Sequence, residues 1–206
     1  MEEVWRHDNE VLLERIHKHL GTSKNKCIAA FGSTPASWRC PVCYRTKDEF
    51  ARVKDGELLC SLHWHHDHLR DRFNQQAKVH LDNTRKMVWA AARIGLVRFS
   101  EVQVCNDCNV VEAKAKKQTK INAVFSFSPL EIASFITVSK NADHKIDVET
   151  VRRLWEIVEP QIECLAAVFI EVDDLMMGKL TGPSRFGIVQ ALAESLDEGK
   201  NERGKP

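Results

Sequence analysis

The chain has 206 residues, with 30 Lys and Arg balanced by 29 Asp and Glu, 9 His and 7 Cys. That length can bury a core of its own, as one compact domain or a small module with a helical companion. No apolar run approaches the roughly 18 residues of a membrane span, and Met1-Glu2-Glu3-Val4-Trp5-Arg6 lacks the basic-then-apolar order of an export signal; a soluble, cytoplasmic protein with no membrane partner is expected.

Residues 1–37 read as a helix and a connector. Val4, Trp5, Val11, Leu12, Ile16 and Leu20 fall near one helical stripe, Lys18 and His19 suit a helix C-terminus, and Gly21 suits the position just past it. Residues 21–37 are rich in Gly, Ser, Thr and Lys, as a connector is.

Residues 38–120 hold every feature with chemical promise. Cys40-Pro41-Val42-Cys43 and Cys105-Asn106-Asp107-Cys108 are two Cys-x-x-Cys knuckles that bracket the run His63-Trp64-His65-His66-Asp67-His68. Asp55-Gly56, flanked by Phe50, Val53, Leu58 and Leu59, predicts a hairpin whose second strand runs into the histidines. Residues 69–99 read as a basic helical insert broken at Gly95, and Val102-Gln103-Val104 as a short strand. The Ala, Glu and Lys content of 109–117 favours a helix.

The remainder, 121–198, reads as a helical domain ahead of a disordered tail at 199–206. Ser128-Pro129-Leu130-Glu131 has the order of a capping box with Pro at the first helical position. Asp147 can cap a helix through Val158, Pro160 starts or kinks another through Leu175, and a last one is expected near Pro183 to Leu196. The apolar stripes on these helices suit either an intramolecular bundle or a homodimer interface. Residues 36–120 carry 16 Lys and Arg against 10 Asp and Glu, whereas 121–206 carry 9 against 14. A basic half joined to an acidic half fits a nucleic-acid face beside a packing domain, and also fits unequally charged solvated helices.

Seven cysteines, four of them in two knuckles, look like metal ligands rather than a disulfide framework. Two knuckles can supply a tetrahedral four-sulfur zinc site from Cys40, Cys43, Cys105 and Cys108, although 61 residues lie between them. Cys40, Cys43, Cys60 and His63 form a rival set with zinc-finger spacing. Cys27 and Cys164 sit in apolar sequence and read as core residues. Strand alternation would send His63 and His65 to one face and His66 and His68 to the other. These histidines could form a second zinc site, or a labile metal centre with its own base.

The order Cys40-Pro-Val-Cys43, His65-His66-Asp67-His68 and Val104-Cys105-Asn-Asp-Cys108-Asn109-Val-Val-Glu112 resembles the zinc-containing HNH, or ββα-metal, nucleases. It is especially similar to the phage recombination endonuclease VII branch, over roughly residues 38–118. The resemblance implies an α+β, mostly helical fold, with a zinc-stapled ββα-metal module between an N-terminal helix and a C-terminal helical bundle. It implies a DNA endonuclease with structural Zn2+ and catalytic Mg2+ or Mn2+. Carried over, His66 is the general base, His65 and Asn109 hold the catalytic ion, Glu112 orients a ligand or the ion's water, and His68 contacts phosphate or supports the site. His65 stands where that branch has an acidic ligand, and 36 residues separate His68 from Cys105. Asn83 and Asn106 are the candidates for the middle Asn of the family name. The reading from another class is a noncatalytic zinc module that binds nucleic acid or protein.

Overall fold

The computed structural model describes residues 2–24, 29–68, 71, 97–122 and 125–176. The chain forms two compact units, one of residues 1–72 with 98–157 and one of residues 73–97 with 158–206. The sites described below lie in the first.

Helix α1 (Glu2–Leu20) buries Leu12 and Ile16, one turn apart, while Val11 remains 54% exposed. Gly21 takes φ +67° beyond its end, and the Thr22 N–H returns to the His17 carbonyl at 3.2 Å. That closure satisfies a carbonyl the last turn would leave open, and only a residue at ease with positive φ allows it.

A polar clamp adds to this apolar contact. The ammonium of Lys47, at the start of the short helix α3 (Lys47–Phe50), is fully buried. It donates to Asn9 Oδ1 at 2.6 Å, the Phe31 carbonyl at 2.5 Å and the Thr34 carbonyl at 3.0 Å. Asn9 comes from α1, and Phe31 from the one-turn helix α2 (Ala29–Gly32) inside the expected connector. One charge therefore ties three segments together, and its three N–H bonds are all used.

Strands β1 (Arg52–Lys54) and β2 (Glu57–Leu59) form the expected hairpin, with Val53 opposite Leu58. Asp55 and Gly56 both take positive φ, the backbone of a two-residue turn that matches strand twist. The continuation differs from expectation. β2 stops at Leu59, and a separate strand β3 (Leu62–His65) pairs antiparallel with β4 (Val102–Cys105), Leu62 opposite Cys105 and His65 opposite Val102. The histidine run is thus split, and alternation governs only His63 and His65, since the strand ends before His66 and His68.

β4 passes into helix α4 (Asn106–Thr119) without a loop, so the helix begins three residues before Asn109 and includes Cys108. Lys120 ends it in the left-handed region. The capping box at Ser128 forms as read: Ser128 Oγ accepts the Glu131 N–H at 3.3 Å and Glu131 Oε2 accepts the Ser128 N–H at 2.6 Å, opening α5 (Pro129–Phe135).

Residues 136–146 depart from the expectation of an almost wholly helical remainder. β5 (Ile136–Thr137) pairs with β6 (Lys145–Ile146), and the loop between them reaches back to the first knuckle. Asp147 then caps a single helix α6 (Val148–Met176) that contains Pro160 where two helices were expected. The helix near Pro183 to Leu196, the insert over 72–96 and the tail lie outside the described residues.

The core gathers where α5 and α6 meet the irregular segment at 125–128 that precedes α5. Phe125 and Phe127 meet edge to face at 4.8 Å, Phe127 meets Phe135 at 5.2 Å and Phe125 meets Trp155 at 4.9 Å. Each aromatic pair adds about 1 kcal/mol beyond the area it buries. Among the described residues, no helix is long and apolar enough to cross a membrane.

Two outcomes follow from these clamps. Lys47→Met should remove a buried donor from Asn9 Oδ1 and the Phe31 carbonyl, leave the Thr34 carbonyl with only the Asn9 Nδ2 donor at 2.8 Å, and cost about 2–4 kcal/mol of unfolding free energy in a denaturant titration, with earlier proteolytic cleavage around α1. Glu49 is held down to about 2 from its ordinary 4.5, first by the Lys140 ammonium at 2.7 Å and then by the Thr46 N–H at 3.0 Å. Its folded pKa lies below the unfolded value, so its stabilising contribution is complete above pH 4.5 and is lost as pH falls through about 2. Glu49→Gln should flatten that acid limb of the stability curve.

Candidate metal centre and adjoining cavity

The two knuckles meet. Cys40, Cys43, Cys105 and Cys108 are all buried, and their sulfurs lie within 4.8 Å of one another. Sγ of Cys40 is 3.7 Å from that of Cys108, and Sγ of Cys43 is 3.8 Å from that of Cys105. A zinc–sulfur bond of about 2.3 Å gives a tetrahedron with edges of about 3.8 Å. The spacing therefore fits a tetrahedral thiolate site for an ion such as zinc.

Local backbone explains how each knuckle closes. Tyr44 takes φ +58°, which lets its N–H reach the Cys40 carbonyl at 2.8 Å while the Cys40 N–H meets the Arg45 carbonyl at 3.0 Å. In the second knuckle Cys105 is the last strand residue and Cys108 lies in the first turn of α4, so the strand-to-helix junction itself converges the sulfurs. The crowded thiols share protons: Cys40 and Cys43 are pulled below the usual range by Cys105 and then Cys108, and Cys108 is pushed up by bonding to Cys105 and Cys40. A divalent ion in their midst takes the place of those protons.

The rival ligand set fails on chemistry. Cys60 is disulfide-bonded and offers no thiolate. Cys164 is exposed rather than a core residue, and Cys27 lies outside the described residues. Among the described residues, the four cysteines are the one group of three or more Cys, His, Asp or Glu side chains close enough to hold an ion, so the histidines make no second site of that kind.

Beside this clamp lies an open cavity of about 420 Å3. His65, His66, His68, Asn109 and Glu112 all line it, together with Trp64 and Lys117. The two elements that bring them together are β3, which carries the histidines to its end, and α4, which presents Asn109 and Glu112 one turn apart.

His65 is 4% exposed and stacks on Phe99 at 5.2 Å. Burial lowers its pKa and keeps it neutral, and Nε2 donates to the Phe127 carbonyl at 2.7 Å. The unprotonated nitrogen is therefore Nδ1, which keeps its lone pair for an electrophile. Glu112 Oε1 takes the Phe127 N–H at 3.4 Å and the Lys116 ammonium at 2.8 Å. Both groups of the Phe127 backbone are thus occupied by the two side chains they position.

His66 is partly exposed, and its Nε2 lies 2.6 Å from Asp71 Oδ2. A carboxylate accepts, so Nε2 carries the proton and Nδ1 is the basic nitrogen. The His68 ring sits edge-on to His66 at 5.3 Å. Asp67 is fully buried and accepts the Arg98 N–H at 3.0 Å, holding the turn after β3 rather than facing the cavity. Asn83 lies outside the described residues, and Asn106 opens α4 with its N–H on the Ser61 carbonyl at 3.0 Å.

Three residues near these sites escape a reading of motifs. Asp71 is five positions beyond His66, and its approach depends on the turn after β3. Arg45 and His144 touch the cysteine sulfurs, and His144 comes from a loop 99 positions from Arg45. An Asp shortly after a histidine run was a visible signal; His144 had none.

No family model, curated protein or solved structure matches the chain. The likeness to HNH nucleases therefore rests on the motifs and their order.

If the four sulfurs hold one ion, elemental analysis of the purified chain should give one zinc per molecule. Cys108→Ser should lower that content and lose several kcal/mol of stability, and a strong chelator should produce the same loss in the unaltered chain.

Proposed function

We propose that the chain is a metal-dependent DNA endonuclease of the ββα-metal type, its cavity hydrolysing a phosphodiester beside a zinc-stapled fold. The observation that carries the reading is that His66 and Asn109, 43 positions apart in sequence, line the same cavity together with His65.

The residues fit the roles the resemblance assigns. His65, with Nδ1 unprotonated, and Asn109, with a carboxamide oxygen, would hold the catalytic divalent ion. That ion, when bound, supplies positive charge for the pentacoordinate phosphate and the leaving oxygen. Two neutral ligands leave affinity modest and selectivity broad, so Mn2+ or Ni2+ should serve as well as Mg2+.

His66 takes the proton from the attacking water on Nδ1 while Asp71 holds Nε2–H and fixes the ring. A developing imidazolium gains from that carboxylate, as charge-assisted bonds do. His68, whose ring meets that of His66 at 5.3 Å, would contact a non-bridging phosphate oxygen or support the site. Glu112 keeps the Phe127 backbone against His65, a supporting role in place of direct contact with the ion's water.

The flanking lysines divide. Lys116 and Lys117 both line the cavity, but Lys116 is buried on Glu112 and the Phe125 carbonyl at 2.8 Å whereas Lys117 is exposed, and Lys114 pairs with Asp143 at 3.1 Å. Lys117 is the better candidate for a backbone phosphate.

Supercoiled plasmid with Mg2+, Mn2+ or Ni2+ tests the reading. The native chain should convert it to nicked circles, and His66→Ala should slow that by about 100-fold or more while zinc content and thermal unfolding stay unchanged. Asn109→Ala should raise the metal concentration needed for half-maximal rate. Undiminished nicking by His66→Ala would remove the base; absence of nicking with every ion would remove the nuclease.

A further inference from the structure

Each of the four sulfurs receives an N–H. Arg45 Nε reaches Cys43 Sγ at 3.3 Å, and Arg45 Nη2 reaches Cys105 Sγ at 3.4 Å. The Cys105 backbone N–H reaches Cys40 Sγ at 3.4 Å, and His144 Nε2 lies 3.4 Å from Cys108 Sγ. The Ser139 N–H donates to His144 Nδ1 at 3.2 Å, so Nδ1 is the acceptor and Nε2 carries the proton that faces Cys108 Sγ; Arg45 Nη2, also a donor, lies 3.1 Å from that nitrogen and touches it without a hydrogen bond. Four sulfurs and four donors make a complete set.

The donors are themselves held. Arg45 is 2% exposed; its Nη2 rests on Asp107 Oδ2 at 2.7 Å and its Nη1 on the Ser139 carbonyl at 2.7 Å. Asp107 is also gripped by Arg52 at 2.9 Å. On the other side of the loop, Asn141 Nδ2 donates to the Asp48 carbonyl at 2.8 Å and to the Ala51 carbonyl at 2.6 Å. The turn between β5 and β6 is thereby fastened over the first knuckle, far along the chain from either Cys-x-x-Cys motif.

We infer that Arg45 and His144 are positioning residues of the four-cysteine centre, that the turn at 138–144 is its outer layer, and that together they hold a divalent ion as a permanent structural tetrathiolate. The chemistry is electrostatic. Four thiolates around a divalent ion carry a net charge of about −2, a burden in a buried site unless donors and a cation face the sulfurs. The guanidinium supplies that cation, and each N–H···S bond draws density from sulfur, which slows both protonation of a departing thiolate and attack by electrophiles. Partners of this kind commonly change metal affinity about 10- to 100-fold. The inference rests on the four-cysteine site and is independent of the nuclease reading.

The test uses the full chain loaded with Co2+, whose sulfur-to-metal charge-transfer and tetrahedral bands report the centre, and with Zn2+, whose release to a chromophoric chelator gives a rate. His144→Phe keeps ring bulk and removes the donor; His144→Gln keeps an N–H. Release should quicken about tenfold or more in His144→Phe, with faster alkylation of the cysteines, and return most of the way in His144→Gln. Arg45→Lys, whose single ammonium cannot serve two sulfurs and Asp107 together, should shift the charge-transfer band and quicken release while far-UV circular dichroism is retained. Release and alkylation at the native rate in both His144→Phe and Arg45→Lys would overturn the inference. A native chain that gives no tetrahedral cobalt spectrum would overturn the four-cysteine site and the inference with it.

Discussion

The convergence of four sulfurs on one point is the constraint from which the rest of the first unit takes its form. Cys40 and Cys43 sit at the start of the module and Cys105 and Cys108 near its end, so closing them turns everything between into a loop anchored at both ends. The β3–β4 pair brings the second knuckle alongside the segment after the hairpin, and α4 leaves from the metal site with its first turn already fixed. Asn109 follows Cys108 directly, and His65 ends the strand opposite Val102. The cavity is therefore built by the clamp: its walls are the end of the strand and the start of the helix that the sulfurs hold in register.

Much of this architecture was legible because it depends on short-range chemistry. Asp55-Gly56 announces a two-residue turn, since few residue pairs accept positive φ twice in succession. Ser128-Pro-Leu-Glu131 announces a helix start by the groups that satisfy its free N–H donors. The pairing of two Cys-x-x-Cys elements follows from what zinc demands. Each of these signals is contained within a few residues.

What escaped was set by distant partners. The break at Cys60-Ser61, which separates β2 from β3, is decided by which strand β4 chooses, and no local pattern records that choice. Residues 136–146 carry apolar and β-branched residues too sparse to read as strands, and the turn they form is held by Arg45 and by Asn141 on the Asp48 and Ala51 carbonyls. Pro160 inside α6 was an ambiguous mark: a proline can open a helix or sit within one at the cost of a backbone hydrogen bond. Among the cavity residues, the grouping of His66 with Asn109 was expected, whereas the fastening of Glu112 to the Phe127 backbone joins residues 15 positions apart that no local motif links.

The clamp at Lys47 has a further consequence for what that position can accept. Asn9 Oδ1 and the carbonyls of Phe31 and Thr34 converge on one nitrogen much as the oxygens of a crown ether converge on a cation. Such a receptor recognises a compact, roughly spherical charge. A planar guanidinium spreads the same charge over a fork that cannot present three donors toward a single centre, so arginine, nominally the nearest neighbour, is a misfit here. The pocket thus discriminates by the shape of the charge, and the polar part of α1's attachment depends on that shape being kept.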